Sequence, residues 1–134
     1  MADVLLAADA DWLIADVRSA LSGPEHTLRA VRTGAEVRGQ VEQQTPDLVI
    51  LDLQIGNMGG IAACLDLRLE ESGGRLPHVP VLLLLDREAD VFLADTTDAE
   101  GWLVKPLSAF RIRKAINALL AGGTMHENRA AGVS

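Results

Sequence analysis

Apolar runs punctuate the chain at Val4-Leu5-Leu6-Ala7-Ala8, Thr27 to Val31, Leu48-Val49-Ile50-Leu51, Val79 to Leu85 and Trp102-Leu103-Val104. Between them, apolar residues recur at helical steps. Nearly continuous aliphatic runs predict strands buried on both faces, so the alternation reads as βαβ units around a parallel sheet rather than a sandwich. The first helix is predicted from Asp11 as its cap through Leu13, Ile14, Val17, Ala20 and Leu21, ended by Gly23-Pro24. Thr33-Gly34-Ala35-Glu36 has the spacing of a capping box ahead of Val37 and Val41, and Thr45-Pro46 stops that helix. Ile61, Cys64, Leu65 and Arg68 mark a third helix, with Gly73-Gly74 and Pro77 in the return loop. The segment Arg87 to Ala99 offers only Val91, Phe92 and Ala94 as a core face, which predicts a short, loosely held fourth helix. Ser108 caps a last helix whose Ile112, Ala115, Ile116 and Leu119 face the sheet. Gly122-Gly123 is expected to end the ordered chain. Residues 1–123 are thus read as one domain and 124–134 as a mobile tail.

Composition narrows the classes. A chain of 134 residues with 49% hydrophobic content supports one core, and no second folded unit is expected. A net charge of −7 argues against sequence-independent nucleic-acid binding, which needs a basic face. The single Cys64 cannot form an internal disulfide and reads as a small buried residue. The longest apolar run falls far short of the roughly 20 residues that span a bilayer. Met1-Ala2-Asp3 leads straight into a strand, without an export leader. A soluble cytoplasmic protein is expected.

The candidate chemistry sits at strand ends. Asp52 ends the third strand, Asp9 follows the first, and Lys105 ends the fifth ahead of Pro106. Open α/β sheets keep their sites at the carboxyl ends of the strands, and right-handed crossovers bring these ends to one edge. Neighbouring carboxylates repel, a conflict relieved by a raised pKa or by a hard divalent cation such as Mg²⁺. Such a cation would shield an incoming phosphoryl group while the lysine contacts a phosphoryl oxygen, making acyl-phosphate formation on Asp52 feasible.

From about Val4 to about Leu120 the sequence resembles the receiver domains of two-component response regulators. The likeness rests on Asp9, on Asp47-Leu48-Val49-Ile50-Leu51-Asp52 followed by Met58 and Gly60, and on Trp102-Leu103-Val104-Lys105-Pro106. It implies a flavodoxin-like (βα)5 fold, doubly wound, with a parallel sheet in the order 2-1-3-4-5. It also implies a phosphoacceptor at Asp52, a phosphoryl contact from Lys105, and Mg²⁺ held by Asp9, Asp52 and the backbone carbonyl of Gln54. The peptide before Pro106 is expected to be cis. The implied partners are a histidine kinase or phosphotransfer protein and a downstream protein target reached through the fourth helix, fifth strand and last helix. The molecule is then a stand-alone signalling module in a phosphorelay, and not an enzyme.

The departures from the family pattern are specific. Ala8 stands where a second acid is usual, which implies weaker Mg²⁺ binding, with Asp11 or Asp86 as substitutes. Both of these are otherwise read as helix caps. Leu85 replaces the switch hydroxyl, Trp102 takes the aromatic switch position, and Gly56 replaces a proline. Ala8 and Leu85 favour the alternative, a pseudo-receiver that acts as a constitutive adaptor without phosphorylation, whereas the retained Asp9, Asp52 and Lys105 favour phosphorylation. A flavodoxin-type FMN carrier is disfavoured, because Ala7-Ala8-Asp9-Ala10-Asp11 would repel a phosphate. Trp102 and Trp12 read as packing residues. His26, His78 and His126 lack zinc-site spacing. Arg111, Arg113 and Lys114 read as a solvated face or a patch for an acidic partner.

Overall fold

The computed structural model describes residues 1–128. Strands β1 (Ala2–Ala7), β2 (His26–Val31), β3 (Leu48–Asp52), β4 (Val81–Leu85), β5 (Gly101–Val104) and β6 (Met125–His126) form one six-stranded sheet in the order β2-β1-β3-β4-β5-β6, with every pairing parallel. Helices α1 (Asp11–Ala20), α2 (Val37–Gln43), α3 (Gly60–Ser72), α4 (Val91–Asp95) and α5 (Ala109–Leu120) make the crossovers and cover the faces.

The continuous aliphatic runs resolve into two layers because successive strand residues point to opposite faces. Leu5, Val49, Leu51, Leu83 and Leu85 pack with Val37, Val41, Ala63, Cys64, Leu67 and Ala94 on the α2–α3–α4 side. Val4, Leu6, Leu48, Ile50, Leu82 and Leu84 pack with Leu13, Val17, Ile112, Ile116 and Leu119 under α1 and α5. Every residue of β3 and β4 is buried, as the apolar runs require. The fourth helix is one short piece after a 3-10 turn at Glu88–Asp90, and its exposed Phe92 reflects the thin core face of that segment.

The tail expectation needs correction over 124–128. Met125 pairs with Gly101 and His126 with Trp102, extending the sheet by a strand. The rest of that expectation, 129–134, lies outside the described residues. The physical cause is tertiary: Trp102, 1% exposed, donates its indole N–H to the Glu127 carbonyl at 2.7 Å, and its ring meets His126 at a centroid distance of 4.3 Å. Two cap assignments also change. Ala10 occupies the N-cap of α1, while Asp11 pairs with Arg32 at 2.6 Å. Asp90, not Asp86, accepts from the backbone N–H groups that open the fourth crossover, Asp86 at 3.2 Å and Arg87 at 3.0 Å. Trp12 is 56% exposed, so only Trp102 is a packing residue.

Candidate functional site

Strand register sets the site. Ala7 lies opposite Leu51, Asp52 opposite Leu84 and Leu85 opposite Val104, so the residues that follow β1, β4 and β5 gather around the end of β3. Asp52, 3% exposed, sits at the centre of that edge. Lys105 donates from Nζ to Asp52 Oδ1 at 2.6 Å and to Asp86 Oδ1 at 2.8 Å. Its main chain is fixed to β4 by the Lys105 N–H donating to the Leu85 carbonyl at 2.8 Å. The Lys105–Pro106 peptide is cis.

One ammonium therefore serves two carboxylates. Burial draws Lys105 down, but the hydrogen bonds and charges of Asp52 and Asp86 outweigh it and hold the group above its ordinary value. Asp86 Oδ2 is buried with no hydrogen-bond partner, an unusual state for a carboxylate oxygen. Leu85 is fully buried in the apolar layer beside Trp102 and supplies no hydroxyl to the edge.

Asp9 is exposed beyond the end of β1. Its main-chain carbonyl accepts from Arg32 Nη1 at 3.0 Å, and its carboxylate faces the loop after β3, where a Cβ on Gly56 would lie 3.9 Å from Oδ2. Asp9 is thus placed toward the same mouth but makes no contact with Lys105. Gln54 lies in the exposed turn of that loop.

The loop between β3 and α3 is tightly built. Asn57 and Met58 take left-handed backbone angles, φ 52° and 79°, a conformation that costs a non-glycine residue roughly 1–2 kcal/mol. The Gly34 N–H donating to the Gly56 carbonyl at 3.3 Å and the Ala35 N–H donating to that of Asn57 at 2.9 Å hold it. At Gly34 an added Cβ would fall 1.7 Å from the Met58 carbonyl oxygen, and at Gly60 it would fall 2.6 Å from that of Asp52. Only glycine permits these two approaches.

Among the described residues no group of three or more His, Cys, Asp or Glu side chains forms a metal cluster. The acidic groups at this edge, Asp52 and Asp86 with Asp9 toward the same mouth, offer oxygen donors, and the unsatisfied Asp86 oxygen adds to the negative field. That chemistry fits a hard divalent cation and no softer metal. The edge offers a buried carboxylate oxygen as nucleophile and an ammonium to receive negative charge.

Two contributions were not read from sequence. Asp86, considered only as a cap or substitute ligand, is the second partner of Lys105; its place one residue past β4, level with Lys105 past β5, is the signal that finds it. Arg111 is not part of a solvated face: its guanidinium is tied to Glu127 and to two backbone carbonyls. No periodicity in the sequence could have joined those residues.

Comparison with known proteins agrees with this fold. Residues 4–117 match the family model described as response regulator receiver domain. Protein PilH of Pseudomonas aeruginosa is 25% identical over 122 residues, covering 91% of this chain and 100% of PilH. The DNA-binding transcriptional activator DevR/DosR of Mycobacterium tuberculosis is 29% identical over 99 residues, 72% of this chain and 43% of that protein. The chain spans about half the length of several other curated relatives. The crystal structure of a response regulator from Chloroflexus aurantiacus shares the fold, with a TM-score of 0.80 at 21% identity, covering 90% of this chain and 98% of that one. With a buried acid, a strand-end lysine and a doubly wound sheet in this order, the chain belongs to the receiver-domain family of response regulators.

Proposed function

We propose that Asp52 is a phosphoacceptor, receiving its phosphoryl group from a histidine kinase or phosphotransfer protein. The observation that carries this reading is the 2.6 Å contact between Lys105 Nζ and the buried Asp52 carboxylate at the carboxyl edge of the sheet. An Asp52 oxygen attacks the phosphorus of a phosphohistidine. The new O–P bond forms as the P–N bond breaks, and the imidazole leaves with the electron pair. Lys105 then turns from the carboxylate to a phosphoryl oxygen, offsetting charge that builds in transfer. Asp9, Asp52 and the Gln54 carbonyl would hold Mg²⁺, which supplies charge neutralisation at the transferred group. Ala8 removes one family ligand, so this ion is held weakly.

Phosphorylation draws Lys105 away from Asp86 and changes the contacts at the ends of β4 and β5. A downstream protein can read that change on the neighbouring α4–β5–α5 face. The free, buried Cys64 suits a reducing cytoplasm.

Acetyl phosphate with Mg²⁺, followed by intact-mass and peptide mapping, tests the assignment. One added phosphoryl group mapping to Asp52 and absent from Asp52→Asn is expected. A chain that stays unmodified at saturating donor and Mg²⁺ would sink the phosphoacceptor and leave an adaptor that works without phosphorylation.

A further inference from the structure

Lys105 is the only side chain bonded to the Asp52 carboxylate among the described residues, so whatever fixes its main chain sets the geometry of the site. On the β4 side this is the Leu85 carbonyl. On the other side the work falls to two residues remote from the edge. Arg111 of α5 donates from Nη2 to the Val104 carbonyl at 2.9 Å and from Nη1 to the Pro106 carbonyl at 2.5 Å, gripping the residues immediately before and after Lys105. Glu127, just past β6, accepts from Arg111 Nε at 2.8 Å and again from Nη2. The same carboxylate accepts from the Val104 N–H at 3.0 Å. Its own carbonyl takes the Trp102 indole N–H, and its N–H donates to the Trp102 carbonyl at 3.3 Å. The two side chains are 31% and 23% exposed, which shelters their ion pair from full solvent screening.

We propose that Arg111 and Glu127 form a brace that positions Lys105, so that the C-terminal strand β6 is a working part of the phosphorylation site. This rests on the reading of Asp52 as phosphoacceptor. The chemistry is that of a guanidinium fork clamped by a carboxylate, a geometry an ammonium or an amide reproduces poorly. Arg111 and Glu127 touch neither Asp52 nor the transferred group; they act through the backbone on either side of Lys105. A displacement of the ammonium by a fraction of an ångström is enough to lower the rate of a transfer that depends on alignment.

The test uses the whole chain with Glu127→Gln and Arg111→Met, each alone and combined with Lys105→Met. Glu127→Gln keeps an acceptor for the Val104 N–H and removes the charge, so it guards against simple misfolding, which thermal melts monitor. Each variant is expected to slow phosphoryl gain from acetyl phosphate about tenfold. In the Lys105→Met background neither should slow it further, because the brace acts only through Lys105. Acetic anhydride labelling of Lys105 should rise several-fold in both single variants without any phosphoryl donor. Wild-type labelling and wild-type rates in both variants would overturn the brace, as would an equal loss of rate with and without Lys105. If Lys105 labelling rises as expected while the wild-type protein never gains phosphate, the brace stands and the phosphoacceptor reading alone fails.

Discussion

Where the strands of this sheet begin, cations are matched to anions. Arg29 reaches Asp3 through two nitrogens and adds Gln40 and the Gln44 carbonyl. Arg68 bonds Glu100 at 2.6 Å and the Val79 and Asp98 carbonyls, leaving only its Nε unpartnered, while His78 bridges Glu71 and Glu100. Where the strands finish, one ammonium is divided between Asp52 and Asp86, an Asp86 oxygen goes without a partner, and Asp9 stands exposed. The first edge spends its charges on stability. The second keeps an excess of carboxylate, which favours an incoming cation, and a lysine with somewhere else to go.

Removing charge from the matched edge should produce the largest loss of stability. Arg68→Ala strands the buried side of Glu100 and unties two carbonyls, and is expected to cost about 3 kcal/mol by chemical denaturation. Phosphoryl gain at Asp52 should be unchanged at temperatures where the variant remains folded. A cost below about 1 kcal/mol would mean that these pairs behave like ordinary surface ion pairs and that the contrast between edges is overstated.

Acid and alkali should then separate the edges. Burial pushes Glu100 up, but the Val81 N–H and Arg68 outweigh it and hold it below the ordinary value of 4.5. Glu127 behaves likewise, with burial outweighed by Arg111 and the Val104 N–H. The stabilisation from each is fully present above 4.5 and disappears as the pH falls through the depressed folded value. Lys105 has the opposite sign: its share is present below 10.5 and is lost as the pH rises through its raised folded value. Thermal melts across both limbs should show Glu100→Gln flattening the acid limb and Lys105→Met flattening the alkaline one. Identical curves for wild type and either variant would dismiss the corresponding pair as a source of stability.

The smallest effect is expected at Asp86. Asp86→Ala removes the stranded oxygen but also one of the two ion pairs of Lys105, so the two changes offset and stability should move by less than about 1 kcal/mol, while phosphoryl gain should quicken a few-fold because Lys105 loses its competing partner. A slower reaction would instead make Asp86 part of the cation site.

The residues that could be read from sequence are those whose roles are set by their own segment. Asp52 and Lys105 each end an apolar run, and parallel register brings such ends together, so their meeting followed from the strand pattern. Ser108 likewise caps α5, accepting from the Arg111 N–H at 3.2 Å. Glu127 is different. Nothing around it repeats, the strand before it has two residues, and Glu127 itself is held by an indole and a guanidinium contributed from 25 and 16 positions away. Asp11 and Asp86 were misread as caps for the same reason, since a free carboxylate at a helix start is a good cap until a cation from another element takes it.

Gly34 lends no proton, charge or nucleophile to anything, yet it sits so close under the Met58 carbonyl that no other residue fits. The rim of the mouth is moulded from behind, by a neighbouring crossover. Reshaping entry to the pocket therefore does not require altering an acid: a methyl group at position 34 would force the Met58 carbonyl and the loop that carries it to move, and access would change with them.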